Sequence, residues 1–127
     1  MRKTEESKGQ TDDRFKAMVV ATILDTKTER ALEILCEHYH LDVPKLGVGV
    51  VKGRSKGVLA VYSPDRKEIL AVSQEYLYDP FVMLHEFYHH LRQFAGQHRG
   101  TEKNADRFAL DYIAAYKRLA SASSSTK

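Results

Sequence analysis

Apolar residues recur at helical spacing in the first third of the chain and predict two helices. The first pattern begins at Thr11, and its apolar members fall near one helix face: Phe15, Met18, Val19 and Leu24. The second pattern has a stripe of the same period: Leu32, Leu35, Cys36 and Tyr39. Proline disfavours helical backbone in the residue before it, so the second helix is expected to end before Pro44.

The spacing then changes to the short, branched apolar segments that are typical of β-strands. These segments are KLGVGVV (45–51), GVLAVYS (57–63) and KEILAVS (67–73). The first alternates apolar residues with glycine, so its apolar side chains point to one side. The residues between the segments are mainly glycine, serine, proline and charged residues, which favour turns. We therefore predict a three-stranded antiparallel sheet in meander order.

Helical spacing returns near residue 80 and predicts two further helices. Asp79 is a favourable N-cap, and Pro80 suits the first helical position, where its missing N–H costs nothing. This helix is expected to reach about Ala95, and a last helix is expected from a cap at Thr101 to about Leu119. Helices that flank one small antiparallel sheet make an α+β fold.

Length and composition are those of one folded domain. The chain has 127 residues, of which 43% are hydrophobic and 29% are charged, which is ordinary for a single globular domain. We assign residues 12–120 to that domain. The polar segments 1–11 and 121–127 are expected to be a disordered N-terminus and a disordered tail.

The cysteine content and the apolar runs bear on the cellular compartment. Cys36 is the single cysteine, which excludes an intrachain disulfide and fits a reducing environment. The best apolar run, residues 17–24, is far too short to span a bilayer. The first residues lack the apolar centre of a signal peptide. We therefore expect a cytoplasmic protein that does not contact the membrane.

The stretch LHEFYHHL (84–91) places three histidines and a glutamate among apolar residues. His85 and His89 are four residues apart, so on a helix they lie one turn apart on one face and can bind one metal ion. Glu86 lies about 100° around the helix, where its carboxylate can reach a water molecule on that metal without being a ligand. Two imidazoles and a carboxylate suit zinc. We therefore predict a zinc site with Glu86 as general base.

The helix that carries this motif is apolar around most of its circumference, which predicts burial. Its apolar positions are Phe81, Met83, Leu84, Phe87, Tyr88, Leu91, Phe94 and Ala95. Buried histidine and glutamate side chains need partners, and a metal ion is one such partner. His90 faces away from the predicted metal, so we expect it to be a packed or hydrogen-bonded core histidine.

Two downstream residues are candidates for the third ligand. Glu102 extends the apolar stripe of the last helix, where a carboxylate is unusual unless it meets a cation. His98 lies in the predicted turn and is more typical of a solvated residue, with ligation or contact with an oxyanion as further options. Asp106 follows Glu102 by one turn and can accept a hydrogen bond from the second nitrogen of a zinc-bound histidine.

With both motifs in view, the sequence resembles the gluzincin metallopeptidases. HEFYH (85–89) matches their HExxH helix. EKNADRFA (102–109) matches the ExxADxxA form of the glutamate helix in the membrane-bound CAAX-processing and heat-shock metallopeptidases, and is close to that of ImmA/IrrE-type proteins. The small size and the order of elements resemble the archaeal minigluzincins. The resemblance implies a zincin-like fold.

The resemblance also implies a role for each matching residue. Zinc is bound by His85, His89 and Glu102, with Glu86 as general base and Asp106 as the partner of a ligand. The oxyanion donor is often a histidine or tyrosine in these families. Three residues of this sequence are candidates for it: Tyr112, Tyr116 and His98. The membrane spans of the CAAX type are missing, and the short distance between the two motifs leaves little room for a substrate-binding subdomain.

These features predict a zinc-dependent endopeptidase that hydrolyses peptide or protein substrates, with an edge strand of the sheet holding the substrate backbone. A latent or non-proteolytic zinc-binding regulatory domain is the alternative, motivated by the missing subdomain. A third hypothesis is a protease that acts on proteins bound to nucleic acid. It rests only on the net charge of +3, the pI near 9.0 and the basic segment 51–57, which is more typical of a solvated loop.

Overall fold

The structure is a computed structural model that describes residues 2–49, 57–94 and 102–125. Its elements follow in this order: α1 (Arg2–Leu24), α2 (Thr28–Tyr39), β1 (Lys45–Val48), β2 (Ala60–Ser63), β3 (Glu68–Ala71), a 3₁₀ helix (Gln74–Tyr78), α3 (Pro80–Phe94) and α4 (Glu102–Ser125). The α+β class predicted from the sequence is confirmed, and so is the order of its helices and strands.

The helix boundaries differ from the predicted ones mainly at the two ends of the chain. α1 begins at Arg2 rather than near Thr11, and α4 continues past Leu119 to Ser125. Disorder of the two terminal segments stays a prediction. Three further predictions fall outside the described residues: the helix end at Ala95, the cap at Thr101 and most of the basic segment 51–57.

The sheet corrects the predicted topology, because it is mixed and its strand order is β1-β3-β2. β3 pairs in parallel with β1, which places Leu46 opposite Ile69. β3 pairs antiparallel with β2, which places Tyr62 opposite the same residue. The predicted antiparallel meander is therefore wrong, and only its β2–β3 hairpin is correct.

Burial and the length of the connections explain this topology. Ile69 and Ala71 on β3 are fully buried, so this strand takes the central position. Residues 64–67 form the short turn that joins an antiparallel pair, with Lys67 in the left-handed region at φ 51°. The chain leaves β1 and reaches β3 only after it has passed through β2, and a parallel pair requires such a long crossover.

One hydrophobic core joins the helices and the sheet. Its fully buried side chains come from all of these elements: Val19, Ile23, Leu32, Leu35, Ile69, Met83, Leu84, Phe87 and Tyr112. α3 packs against α4 and also against β2 and β3. One face of α3 therefore lies beside the sheet edge and the start of α4. In the described part of the chain, no helix has a stretch long and apolar enough to cross a bilayer.

Candidate metal centre

The N-cap of α3 fixes where this helix begins. Oδ1 of Asp79 accepts hydrogen bonds from the backbone N–H groups of Phe81 at 2.9 Å and Val82 at 3.3 Å. These N–H groups have no acceptor within the helix, and Pro80 has no N–H to satisfy. The predicted cap is confirmed, and it sets the phase of the helix on which the HExxH motif lies.

Three predicted ligands converge between α3 and α4. Nε2 of His85 lies 2.8 Å from Oε1 of Glu102, and Nε2 of His89 lies 3.2 Å from Oε2 of the same carboxylate. One ligand atom from each of the three residues lies within 4.8 Å of the others. Glu102 is the first residue of α4, so the start of this helix presents the carboxylate that both imidazoles face.

Asp106 contacts the other nitrogen of the first imidazole. Its Oδ1 lies 2.8 Å from Nδ1 of His85. An ionised carboxylate only accepts hydrogen bonds, so Nδ1–H donates to Asp106. The contact predicted for Asp106 is therefore present, and it orients Nε2 of His85 towards Glu102.

These contacts place His85 between two carboxylates. The number of protons on its ring therefore bears on whether a metal ion fits the cluster. Both ring nitrogens lie 2.8 Å from a carboxylate oxygen, but a neutral imidazole has only one N–H. The second contact therefore needs a cation between Nε2 and Glu102, either a proton or a metal ion. Bonds of about 2.0–2.2 Å separate the ligand atoms of a tetrahedral zinc site by roughly 3.4 Å, so the three residues fit a divalent cation.

Burial keeps the imidazoles suited to metal binding. Desolvation lowers the pKa of His89, while the facing carboxylate of Glu102 acts in the opposite direction. A lowered pKa favours the neutral imidazole, which is the form that binds metals. The side chains of His85 and His89 are 12% and 24% exposed, whereas that of Glu102 is 78% exposed. Glu102 therefore closes the cluster from the solvent side.

Glu86 lies beside the cluster and lines a cleft between α3 and β2. Its Oε2 is 4.0 Å from Nε2 of His85, and the residue is 8% exposed. The cleft has a volume of about 430 Å³, which is in the usual range for ligand sites. One wall is mainly apolar and comes from β2 and its flanks, including Val58, Val61 and Pro64. The other wall is polar and comes mainly from the helices.

His90 is buried and hydrogen-bonded at both ring nitrogens. Nε2–H donates to the carbonyl oxygen of Asp42 at 2.8 Å, because a carbonyl only accepts. In the neutral ring, Nδ1 then accepts from the hydroxyl of Tyr62 at 2.7 Å. Burial lowers the pKa of His90 and raises the pKa of Tyr62 to about 12. The predicted core histidine is confirmed, and it ties β2 to α3.

The two tyrosines considered as oxyanion donors lie far along α4 from the cluster. Tyr112 is 1% exposed, and its hydroxyl lies 2.7 Å from that of Tyr39 in the helical core. The rise of an α-helix places Tyr112 about 15 Å and Tyr116 about 21 Å along the axis from Glu102. His98 lies outside the described residues.

Tyr62 and Arg92 are among the cleft residues that were not predicted as site residues. Arg92 follows His89 by three residues, a spacing that keeps both side chains on one helix face. Arg92 could therefore have been found from the sequence, by extending the helix face of the HExxH motif by one turn. Tyr62 carries no such local signal, because its place in the cleft depends on β2 lying at the edge of the sheet.

The comparisons with known proteins add no family to this description. No protein-family model, no curated protein and no solved structure matches the chain. The resemblance to the gluzincins therefore rests on HEFYH (85–89) and EKNADRFA (102–109), together with the small size and the order of elements. The structure brings these two motifs together around three side chains that can hold a metal ion.

Proposed function

We propose that the protein is a zinc-dependent endopeptidase of the gluzincin type. The observation that carries this proposal is the convergence of His85, His89 and Glu102 beside a cleft that Glu86 also lines. Two imidazoles and one carboxylate leave a coordination position for water, as catalytic zinc sites do. Structural zinc sites use four protein ligands, whereas the described part of the chain places three at this open cleft, which favours catalysis.

When bound, zinc supplies a Lewis acid that polarises a carbonyl group and makes water acidic near neutral pH. The carboxylate of Glu86 accepts the proton of the attacking water and passes it to the nitrogen of the leaving amine. Glu86 is suited to this role because it is buried next to the cluster and still lines the cleft. Asp106 holds the ring of His85 through Nδ1–H and so keeps Nε2 directed at the metal position.

The substrate backbone is proposed to bind along β2. Within the described part of the chain, β2 pairs with β3 alone, and its other side borders the cleft. An extended peptide can add to such an edge through main-chain hydrogen bonds. The hydrogen bond from Tyr62 to His90 anchors this strand to α3, the helix that carries Glu86.

Metal content and cleavage of a denatured protein test this proposal together. Wild-type protein should carry one zinc per chain by mass spectrometry, and Glu102→Ala should lose most of it because a ligand is removed. Wild-type protein should cleave denatured casein in a zinc-dependent way. Glu86→Gln should retain the metal and lose the cleavage. Full metal content in Glu102→Ala, or equal cleavage by wild type and Glu86→Gln, would contradict the proposal.

A regulatory metal-binding domain without proteolysis is the second candidate, favoured by one observation. The hydroxyl of Tyr62 is engaged by His90, and Tyr112 is buried far from the cluster. Neither tyrosine is therefore placed to stabilise an oxyanion. This candidate predicts stoichiometric metal with no cleavage by wild type over a broad panel of peptides, so the same two measurements separate the candidates.

A further inference from the structure

Arg92 lies in the cleft one turn beyond the metal cluster. It follows His89 by three residues on α3 and lines the same cleft as Glu86 and Gln93. The rise of the helix places its Cα about 4.5 Å along the axis from that of His89. An extended peptide advances about 3.3 Å per residue. The backbone of Arg92 therefore lies one helical turn from the cluster, a distance that corresponds to one or two residues of an extended peptide.

The guanidinium is held in place from one side. Its central carbon lies 5.6 Å from the ring centroid of Tyr88, in a cation–π contact. Tyr88 is 9% exposed and packs in turn against Phe108, with ring centroids 5.3 Å apart. Stacking on a buried ring restricts the motion of Arg92, so less conformational entropy is lost when a ligand binds it.

Arg92 makes no ion pair with any residue of the described ranges. Among the described contacts, Glu102 faces the imidazoles of His85 and His89, and Glu86 lies 4.0 Å from that of His85. Nε of Arg92 is buried and has no hydrogen-bond partner among the described residues. A buried donor without an acceptor is unfavourable. A cation held in this way inside a cleft attracts an anionic group from the ligand.

We propose that Arg92 is a specificity residue that binds a carboxylate of the substrate, an inference that rests on the proposed peptidase function. The planar guanidinium matches a carboxylate through two parallel hydrogen bonds. Glu86 and Glu102 line the same cleft and repel a polyanion, so a singly charged group on a peptide is the better fit. That group is either an acidic side chain or the terminal carboxylate of the chain, placed one or two residues from the cleaved bond.

Peptide binding to the zinc-loaded Glu86→Gln protein tests this assignment without turnover. The probes are fluorescent peptides in matched sets that differ in one group. In the first set, the C-terminus is amidated and Glu replaces Gln at one position at a time. In the second set, the side chains are neutral and the C-terminus is either a free carboxylate or an amide. Affinities are measured by fluorescence anisotropy in wild-type Arg92, Arg92→Gln and Arg92→Lys backgrounds. Arg30→Gln is the matched control, since it removes an equal charge from α2, outside the cleft.

In one set, the acidic peptide should bind at least about tenfold more tightly than the matched neutral peptide, because its carboxylate forms charge-assisted hydrogen bonds with Arg92. Arg92→Gln should abolish this preference, Arg92→Lys should retain part of it, and Arg30→Gln should leave it intact. Thermal unfolding of each variant establishes that it is folded. The set that shows the preference identifies the source of the carboxylate, as a side chain or as the chain end.

Equal binding of the acidic and neutral peptides in every set overturns the assignment. A preference for the acidic peptide that survives in Arg92→Gln also overturns it, because the carboxylate would then bind the metal or another group. Failure of the peptidase proposal gives a different result. An Arg92-dependent preference without any cleavage by wild type would reject the activity and retain the recognition. Cleavage without the preference would reject the recognition alone, and no preference together with no cleavage would reject both.

Discussion

Oδ1 of Asp106 accepts a hydrogen bond from Nδ1 of His85 at 2.8 Å, and Glu102, one turn earlier on α4, faces Nε2 of the same ring. One helix therefore both orients this imidazole and supplies the carboxylate opposite it. The arrangement needs the two acidic residues to be four apart, as they are in EKNAD. Such supporting hydrogen bonds fix the tautomer of a ligating histidine and increase its basicity.

Asp106→Ala should weaken metal binding without removing it. Loss of a carboxylate that supports a histidine ligand typically reduces metal affinity by about 10–100-fold. Competition with a chromophoric chelator at neutral pH measures the change. Asp111→Ala is the matched control, because Asp111 lies on the same helix and pairs with Lys16 on the surface. An affinity in Asp106→Ala equal to that of the control would show that this hydrogen bond does not support the site.

Tyr62→Phe should destabilise the fold by about 1–3 kcal/mol, because it removes the hydrogen bond that Nδ1 of buried His90 accepts. The pKa of Tyr62 is raised to about 12 by burial, so its hydroxyl keeps its proton at neutral pH and is the donor. Urea unfolding of the metal-free protein gives the difference in free energy. Tyr78→Phe is the control, since its hydroxyl contacts the exposed side chain of Gln74. Equal stability of the two variants would argue against a structural role for the Tyr62–His90 contact.

The cluster of His85, His89 and Glu102 was predictable in part because the spacing of its histidines is local. Residues four apart on a helix share a face whatever the rest of the chain does, so the motif alone places His85 beside His89. Glu102 required one further step, which was to recognise a carboxylate on the buried side of a second helix. The two helices are consecutive along the chain, and consecutive elements usually lie next to each other.

The sheet was not predictable to the same extent, because strand pairing is not local. The apolar spacing located all three strands, but it does not state that β3 lies between β1 and β2. The place of Tyr112, one of the oxyanion candidates, was not predictable for a related reason. Tyr112 was chosen by residue type, and its hydroxyl contacts Tyr39 of α2 in the core. Which face of a long helix meets which neighbour depends on the packing of the whole domain.

Cys36 should be unreactive towards thiol reagents in the native protein. It is 1% exposed, and burial together with the nearby Asp42 raises the pKa of its thiol to about 11. At pH 8 only about one thiol in a thousand is then the reactive thiolate. Labelling with a chromogenic disulfide should be slow in buffer and should reach one thiol per chain in urea, with Cys36→Ser as the blank. Rapid labelling without denaturant would show that α2 opens readily from the core.

The metal-free protein should lose stability as the pH falls below about 6.5, the usual pKa of histidine in an unfolded chain. Burial lowers the pKa of His90 and of His89 in the folded state. Between the folded and unfolded pKa values the unfolded chain binds more protons, so acid favours unfolding, and each histidine contributes a slope of at most about 1.4 kcal/mol per pH unit. Stability is fully present above pH 6.5 and declines until the folded-state histidines are protonated.

Urea unfolding at pH 7.5 and 5.5 measures this decline. His90→Gln should lower the free energy of unfolding at both pH values but reduce the difference between them, because the titrating group is gone. His38→Gln, at an exposed histidine of α2, is the matched control and should retain the difference. A decline of the same size in His90→Gln and in the control would assign the pH dependence to other groups, and a stability that rises towards pH 5.5 would contradict the lowered pKa values themselves.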